Sequence, residues 1–313
     1  MNPIRRIVFM GSPDFAIPAL QDLHKSDYDV VGVITAPDKP SGRGQKIQST
    51  AVKLEAVELG IPVLQPRNLK DPGFQEELRN LKADIQVVIA FRMLPESVWN
   101  MPLYGSINLH ASLLPDLRGA APIHWAIING YNKTGLTTFQ LQHAIDTGPI
   151  LRQETIDIGE NMTTGELYNA MRHMGGKMVL DSLAMIGSRA EQTPQSLTGK
   201  ELQAPKIQKE DARIQWDQIN TVVHNHIRGM HPFPCAWTTL NDKRLKIHRA
   251  NLTTSARHTD LSPGQAVITK DNLLHVQCHN GCIEITELQL EGKKRMTAAA
   301  FIQGQGAKKI QFI

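Results

Sequence analysis

The first half of the chain alternates short apolar segments with amphipathic ones, and this order limits the folds it can adopt. The stretches "IRRIVFMGS", "YDVVGVITA", "IPVLQP" and "ADIQVVIAF" are typical of strands. Helical segments separate them, such as "STAVKLEAVELG", with Ser49 or Thr50 as N-cap and Gly60 beyond its end. Repeated strand–helix order predicts a doubly wound, mostly parallel α/β sheet. Continuous apolar runs such as "VVIA" favour strands covered on both faces.

The pattern changes after residue 150. The segment "TTGELYNAMRHMGGKMVLDSLAMI" indicates an amphipathic helix or a helix pair, and a polar stretch follows it. From residue 207 onward, short strands recur at roughly ten-residue spacing with turn signals between them, which predicts a small antiparallel β-barrel. We therefore predict a first domain over residues 1–190, a linker over residues 191–206 and a second domain over residues 207–313.

The three cysteines, Cys235, Cys278 and Cys282, give no disulfide framework, and their small odd number fits a reducing cytoplasm. The stretch "HVQCHNGC" brings His275 and His279 near two of them, in a predicted hairpin with an Asn-Gly turn. Zinc could bind such a set in principle. Buried strand cysteines are commoner, so we predict no metal.

Charge is distributed unevenly along the chain. The net charge is +4, and residues 207–313 carry 14 Lys and Arg against 9 Asp and Glu. A basic C-terminal part is compatible with a polyanionic partner, although a solvated basic surface explains the charge equally well. No apolar run approaches the roughly 20 residues of a membrane helix. The N-terminus lacks a small-residue cleavage site, so we expect a cytoplasmic protein.

Two polar residues alternate with apolar ones in the predicted strand "SINLHAS". Asn108 and His110 are two positions apart, so their side chains share one strand face. The turn "SLLPDLRGAAP" follows directly, and ligands of open α/β sheets bind at the carboxyl ends of strands. A lone Asn–His pair is more often structural than catalytic, but this location favours a functional role.

A carboxylate follows another predicted strand in "LQHAIDTGPIL". Asp146 is either a turn former or a partner of His110, where it would favour the imidazolium and orient the ring. Asn, His and Asp suffice for acyl transfer without a protein nucleophile. The amide and a protonated imidazole stabilise the oxyanion, and the carboxylate, or a water it holds, takes the proton of the attacking amine.

A long basic loop, residues 35–51, joins a strand to a helix at the same predicted edge. It carries Lys39, Arg43 and Lys46 with two prolines and two glycines. Such a loop is either a mobile linker or a binding loop. Its place at the ligand-binding edge favours the binding loop.

The stretch from "NLHASLLPDLRG" to "HAIDTGPIL" resembles the signature of the folate-dependent formyltransferases. The catalytic trio of that family matches Asn108, His110 and Asp146. The segments "VFMGSPDFAIPAL", "PDKPSGRGQK", "DARIQW" and "IRGMHPFPCAW" are similar to members that act on methionyl initiator tRNA, so the resemblance covers essentially the whole chain. It implies a Rossmann-like formyltransferase domain over residues 1–190 and an OB-like tRNA-binding domain over residues 207–313.

The resemblance also implies substrates. The donor would be 10-formyltetrahydrofolate, the acceptor the α-amine of methionyl initiator tRNA, and no metal would be required. Arg43 falls at the family's key arginine for the tRNA acceptor end, with Lys39 and Lys46 beside it. Phe91 and Arg92 depart from the Tyr-Gly pair of many members. The implied folate-binding residues are Phe91, Arg92, Met93, Leu94, Ser112, Leu113, Leu114 and Pro115.

Three other functions are open at this point. Another formyltransferase that uses 10-formyltetrahydrofolate, or a hydrolase of that donor, would share the Asn-His-Asp trio. Another formyltransferase does not explain the basic loop together with a basic β-rich C-terminal part, and the hydrolase usually carries a different regulatory domain at its N-terminus. A non-catalytic RNA-binding protein would need no trio. We expect a monomeric translation-initiation enzyme.

Overall fold

The computed structural model describes residues 3–41, 46–253, 260–305 and 310–312. It divides into two compact units. The first comprises Met1–Gly119, Gly135–Ile156 and Tyr168–Gln203, and the second Ala120–Thr134, Asp157–Leu167 and Ala204–Ile313. The second unit thus also takes in two pieces of chain that precede residue 190. The division into 1–190, 191–206 and 207–313 stays a prediction.

A seven-stranded sheet forms the centre of the first unit. The strands up to residue 157 are β1 (Arg6–Gly11), β2 (Asp29–Ile34), β3 (Lys39–Ser41), β4 (Lys46–Gln48), β5 (Val63–Leu64), β6 (Ile85–Ile89), β7 (Ser106–His110), β8 (Arg118–Gly119), β9 (Lys133–Gln140) and β10 (Ile150–Asp157). The sheet order is β10-β9-β7-β6-β1-β2-β5, and β3 and β4 form a separate antiparallel pair. Pairs among β5, β2, β1, β6 and β7 are parallel, whereas β9 is antiparallel to β7. The predicted doubly wound, mostly parallel sheet is confirmed.

Side-chain hydrogen bonds cap the starts of some of the helices. The helices up to residue 187 are α1 (Ile17–His24), α2 (Ala51–Glu58), α3 (Pro72–Asn80), α4 (Glu96–Trp99), α5 (Pro122–Ile128), α6 (Thr164–Arg172) and α7 (Gly175–Gly187), with a 3-10 turn at Asp14–Ala16. The Thr50 hydroxyl accepts a hydrogen bond from the Lys53 N–H, which confirms the predicted N-cap of α2. Thr163 and Glu166 form a capping box before α6: the Thr163 N–H donates to Glu166 at 2.8 Å, and the Glu166 N–H donates to Thr163 at 3.3 Å.

The core of the first unit lies on both faces of its parallel strands. All five residues of β6 are buried, as are five of the six in β1. Phe9 and Phe139 are fully buried, and Phe74 and Leu78 of α3 pack with strand residues such as Val8. Burial on both faces explains the continuous apolar runs of these strands.

The second unit contains one antiparallel sheet. Its elements from residue 203 are β11 (Gln203–Ala204), a 3-10 turn (Glu210–Ala212), α8 (Asn220–Met230), β12 (Ala236–Leu240), β13 (Lys243–Leu252), β14 (Gln265–Ile268), β15 (Leu274–Gln277), β16 (Cys282–Leu290), β17 (Met296–Thr297), α9 (Ala298–Gln305) and β18 (Ile310–Gln311). The order is β12-β13-β16-β15-β14-β18, and β17 pairs with β16. The antiparallel strands β12 to β16 agree with the short strands predicted from residue 207 onward, and β15 and β16 form the predicted hairpin. None of the helices within the described residues is long and apolar enough to cross a membrane.

Candidate active site

Strand β7 presents Asn108 and His110 at its carboxyl end. Asn108 lies opposite Val88 on parallel β6 and Phe139 on antiparallel β9, so the strand is held from both sides. Asn108 is half-buried, whereas His110 is 7% exposed and ends the strand. Because side chains alternate along a strand, both point to one face. Among the described residues, no hydrogen-bond partner of the Asn108 amide is found, which leaves that amide available to a ligand.

The two nitrogens of the His110 ring have different partners. Nε2 donates a hydrogen bond of 2.9 Å to the carbonyl oxygen of Leu117, which can only accept. Nδ1 lies 3.8 Å from Oδ2 of Asp146, and the two side chains are 8% and 11% exposed. This distance is too long for a hydrogen bond but short enough for an ion pair when the ring is protonated. The fold thus brings the predicted trio to one edge of the sheet.

Asp146 lies in the loop between β9 and β10, with φ at +53°. This left-handed conformation is one that Asp tolerates better than most residues. Its Oδ2 accepts a hydrogen bond of 3.1 Å from the Gly119 N–H. A Cβ at Gly148 would lie 1.7 Å from the Gln140 carbonyl oxygen, so only glycine fits there. Gly148 is therefore required by the close backbone approach that folds this loop.

Gln195 holds the Asp146 loop, and the sequence provides no sign of this role. Its Nε2 donates to the carbonyl oxygens of Asp146 at 2.9 Å and Gly148 at 2.8 Å. Its Oε1 accepts from Arg118 at 2.5 Å. Gln195 belongs to the polar stretch predicted as a linker. No local periodicity accompanies it, so a side-chain pattern could not have identified it.

The turn after β7 is stabilised by hydrogen bonds of the Ser112 and Thr137 hydroxyls. Ser112 is fully buried, and its Oγ donates to the Asp116 carbonyl at 2.6 Å. Thr137 Oγ1 donates to the Ser112 carbonyl at 2.7 Å and accepts from the Leu114 N–H at 3.1 Å. Leu114 is buried, and Leu113 and Pro115 are half-buried. Folate binding by residues 112–115 stays a prediction.

Residues 91–94 follow β6 at the same edge of the sheet. Phe91 and Leu94 pack against the core, whereas Met93 is 71% exposed. The Arg92 guanidinium donates to the carbonyl oxygens of Pro66 and Arg67. Burial lowers the pKa of Arg92 from its ordinary value. Arg92 therefore fastens this segment to the chain after β5, and its contact with a pterin stays a prediction.

A cavity of about 380 Å³ lies in the same unit next to the Arg92 contacts. Its lining includes Pro66, Arg67 and Phe74, but none of the three residues of the trio. The cavity therefore does not coincide with the candidate active site.

The basic loop contains an antiparallel hairpin of β3 and β4, in which Ser41 pairs with Lys46. Lys39 is exposed at the start of β3. Arg43 lies outside the described residues, and so does the side chain of Lys46. The tRNA contacts of these three residues stay predictions.

The family model of the formyl transferases matches residues 5–183, which is more than half of the chain. The chain belongs to this family. A second model, of the formyl transferase C-terminal domain, matches residues 206–306 of this formyltransferase. The whole chain is similar to curated relatives as well. It is 46% identical over 307 residues to a methionyl-tRNA formyltransferase of Bacteroides fragilis, and the match covers 96% of this chain and 94% of the relative. A Flavobacterium johnsoniae protein of the same name is 44% identical, covering 96% of each chain.

Solved structures show the same formyltransferase fold. The N-formyltransferase from Helicobacter canadensis, in complex with folinic acid and dTDP-3-aminofucose, has a TM-score of 0.68 and 20% identity, covering 94% of this chain and 100% of that one. The methionyl-tRNA formyltransferase from Clostridium thermocellum has a TM-score of 0.56 and 16% identity, covering 80% of this chain and 94% of that one. At these identities the likeness shows the fold alone.

Proposed function

We propose that this formyltransferase transfers the formyl group of 10-formyltetrahydrofolate to the α-amine of methionyl initiator tRNA. The observation that carries the proposal is the meeting of Asn108, His110 and Asp146 at the carboxyl end of β7. Methionyl-tRNA formyltransferases that are 44% to 46% identical over 96% of the chain support this acceptor.

The amine nitrogen attacks the formyl carbon, forming the new C–N bond and leaving a negative charge on the formyl oxygen. The Asn108 amide N–H and the protonated His110 ring stabilise this oxyanion. Because Nε2 of His110 is occupied by the Leu117 carbonyl, the hydrogen on Nδ1 is the one that can shift between Asp146 and the oxyanion. The Asp146 carboxylate, or a water it holds, accepts the amine proton. The oxyanion re-forms the carbonyl as the C–N bond to the folate N10 breaks, and N10 takes the proton that Asp146 or its water accepted from the amine.

Binding of the two substrates is assigned to separate parts of the chain. Phe91, Arg92, Met93 and Leu94 form one wall of the pterin site, and residues 112–115 form another. Lys39, Arg43 and Lys46 neutralise phosphates near the acceptor end, with a salt dependence typical of phosphate contacts. Two solved structures of this fold, one in complex with tetrahydrofolic acid and one in the presence of 5-N-formyl-THF, support a folate donor. The reaction needs no metal.

The proposed working form is a monomer in the cytoplasm. Reduced cysteines support this compartment, because Cys235, Cys278 and Cys282, all among the described residues, form no disulfide.

Formylation of purified tRNAs tests the proposal. The protein is incubated with 10-formyltetrahydrofolate and either methionyl initiator or methionyl elongator tRNA, and formylmethionine is measured after deacylation. We expect formylation of the initiator only, and a loss of about 10²-fold or more in His110→Ala with tRNA binding unchanged. Formate release without tRNA would indicate the hydrolase instead. Equal turnover in His110→Ala would overturn the assigned site.

A further inference from the structure

A thiol and two imidazoles meet inside the second unit, away from the residues assigned to catalysis. His231 and Cys235 lie in the segment between α8 and β12, and His248 lies on β13. They are 7%, 1% and 9% exposed, and one ligand atom from each lies within 4.8 Å of the others. No step of the proposed reaction uses these side chains.

The His248 ring is oriented as a ligand would be. Its Nε2 donates at 3.4 Å to Oε1 of Gln289, an amide oxygen that can only accept. In the neutral ring this leaves the lone pair on Nδ1, which lies 3.6 Å from Cys235 Sγ. Metal-binding histidines are usually fixed in this way, with the second nitrogen donating to an oxygen.

The His231 ring provides an independent indication of a metal site. Its Nδ1 is buried and has no hydrogen-bond partner among the described residues. Buried polar atoms in folded proteins are nearly always paired, since leaving one unpaired is costly. The ring meets His248 edge to face, with centroids 5.5 Å apart. The ring that carries this unpaired nitrogen lies beside a thiol and a second imidazole, and a metal ion would bind such a set of donors.

We propose that His231, Cys235 and His248 bind one zinc ion. Zn–S bonds of about 2.3 Å and Zn–N bonds of about 2.0 Å at a tetrahedral angle place sulfur and nitrogen about 3.5 Å apart. The observed 3.6 Å between Cys235 Sγ and His248 Nδ1 fits this separation. The thiol proton passes to solvent as the Zn–S bond forms, and water takes the fourth position. Zinc is borderline soft and accepts this mixed N and S donor set.

The charges near the cluster are largely compensated. Arg249 pairs with Glu166 at 2.6 Å, and Arg295 pairs with Glu287. Lys246 is a further cation near Cys235. With two of the three cations paired to carboxylates, the surroundings do not repel a divalent cation strongly. Zinc would tie the segment before β12 to β13, which is a structural role in this unit.

Cobalt binding to the full-length, metal-free protein tests the site. We expect one equivalent of Co²⁺ to bind, with the ultraviolet charge-transfer band of a cobalt–thiolate bond, and zinc to displace it. The band should disappear in Cys235→Ala and remain in Cys278→Ala, a matched buried cysteine outside the cluster. Absence of the band in the unchanged protein would mean that Cys235 and His248 share a thiol–imidazole hydrogen bond and bind no metal. Loss of the band in Cys278→Ala with retention in Cys235→Ala would place the metal in the β15–β16 hairpin. Either result overturns the proposal.

A second variant covers the case in which Cys235→Ala does not fold. Gln289→Ala keeps all three ligands and removes the acceptor that orients His248, together with a hydrogen bond of 2.9 Å from Gln289 to the Lys293 carbonyl oxygen. Loss of such an outer partner weakens metal affinity about 10- to 100-fold. We expect that loss for zinc, measured by competition with a chromophoric chelator, and a smaller zinc-induced rise in melting temperature. Unchanged zinc affinity in Gln289→Ala would contradict the site.

Discussion

His110 is held between the Leu117 carbonyl oxygen, 2.9 Å from Nε2, and the Asp146 carboxylate, 3.8 Å from Nδ1. The first contact requires a hydrogen on Nε2 and fixes the plane of the ring. The second places a negative charge beside the nitrogen that faces the loop after β9. The backbone therefore positions one nitrogen of the ring and a carboxylate lies beside the other, so the two contacts can be altered separately.

Asp146→Asn should remove the negative charge of the side chain and preserve the conformation of the loop. An amide oxygen can still accept from the Gly119 N–H at 3.1 Å, so the fold should be preserved. In the proposed mechanism the protonated His110 then lacks a counter-charge and the amine lacks a proton acceptor, so we expect turnover to fall about 10²- to 10⁴-fold. Steady-state formylation measures this, with the melting temperature as the control. Turnover within threefold of the unchanged protein would remove Asp146 from the mechanism.

Asn108→Ala should lower turnover without lowering stability. The Asn108 amide is half-buried and has no hydrogen-bond partner among the described residues, so its removal breaks no protein hydrogen bond. One oxyanion donor is worth about 10²- to 10³-fold in kcat. We expect that loss with an unchanged melting temperature and a KM for folate within a factor of a few. A drop in melting temperature with normal kcat would indicate a structural role.

Gln195→Ala should act through the Asp146 loop. The substitution removes two hydrogen bonds to the carbonyls of Asp146 and Gly148, each worth about 1 kcal/mol. We expect kcat to fall about tenfold, because the Asp146 carboxylate would be held less firmly in its position, with little change in the KM for tRNA. Gln192→Ala is the matched control, because Gln192 donates to the Gln140 side chain at 2.9 Å and not to this loop. Equal losses in the two variants would contradict a positioning role for Gln195.

Local sequence patterns predict the parts of the fold that local forces determine. The strands of the first unit appear as apolar runs, Thr50 caps α2 as predicted, and the alternation around Asn108 and His110 places both on one face. These features depend on neighbours within a few residues. Strand order does not place Asp146 next to His110, because β9 is antiparallel to β7 and Gln140 at its carboxyl end pairs with Ile107. The contact arises from the loop that follows β9.

The partners that complete the site are distant in sequence. Gln195 lies 49 residues after Asp146 and occurs in a stretch without apolar periodicity. The Leu117 carbonyl oxygen is a backbone group, which side-chain patterns do not reveal. Likewise His248, His231 and Cys235 are brought together by the pairing of β12 and β13. Contacts of this kind arise from tertiary packing, so single-sequence patterns do not encode them.

Glu166 should make the second unit sensitive to acid. Burial raises the pKa of Glu166, but hydrogen bonds from Arg249 and Thr163 outweigh it and lower this pKa from 4.5 to about 2. A carboxylate with a lowered folded-state pKa stabilises the protein above the unfolded pKa, and this contribution disappears as pH falls from about 4.5 through about 2. The side chain is 47% exposed, so we expect less than about 1 kcal/mol. Melting temperatures of Glu166→Gln and the unchanged protein should differ at pH 7 and converge toward pH 2.

The basic hairpin loop should act on tRNA and not on folate. Arg43→Ala removes a cation at the predicted acceptor-end site. For each phosphate that is no longer neutralised, the negative slope of log K against log salt becomes shallower by about 0.7 to 0.9. We expect a higher KM for tRNA or a lower turnover, a weaker salt dependence and an unchanged KM for 10-formyltetrahydrofolate. Lys25→Ala is the control, because Lys25 is an exposed cation at the end of α1, at the opposite edge of the sheet from the carboxyl ends. If Arg43→Ala matched Lys25→Ala in tRNA KM, turnover and salt slope, the loop would be a connection between β2 and α2 with no part in tRNA binding.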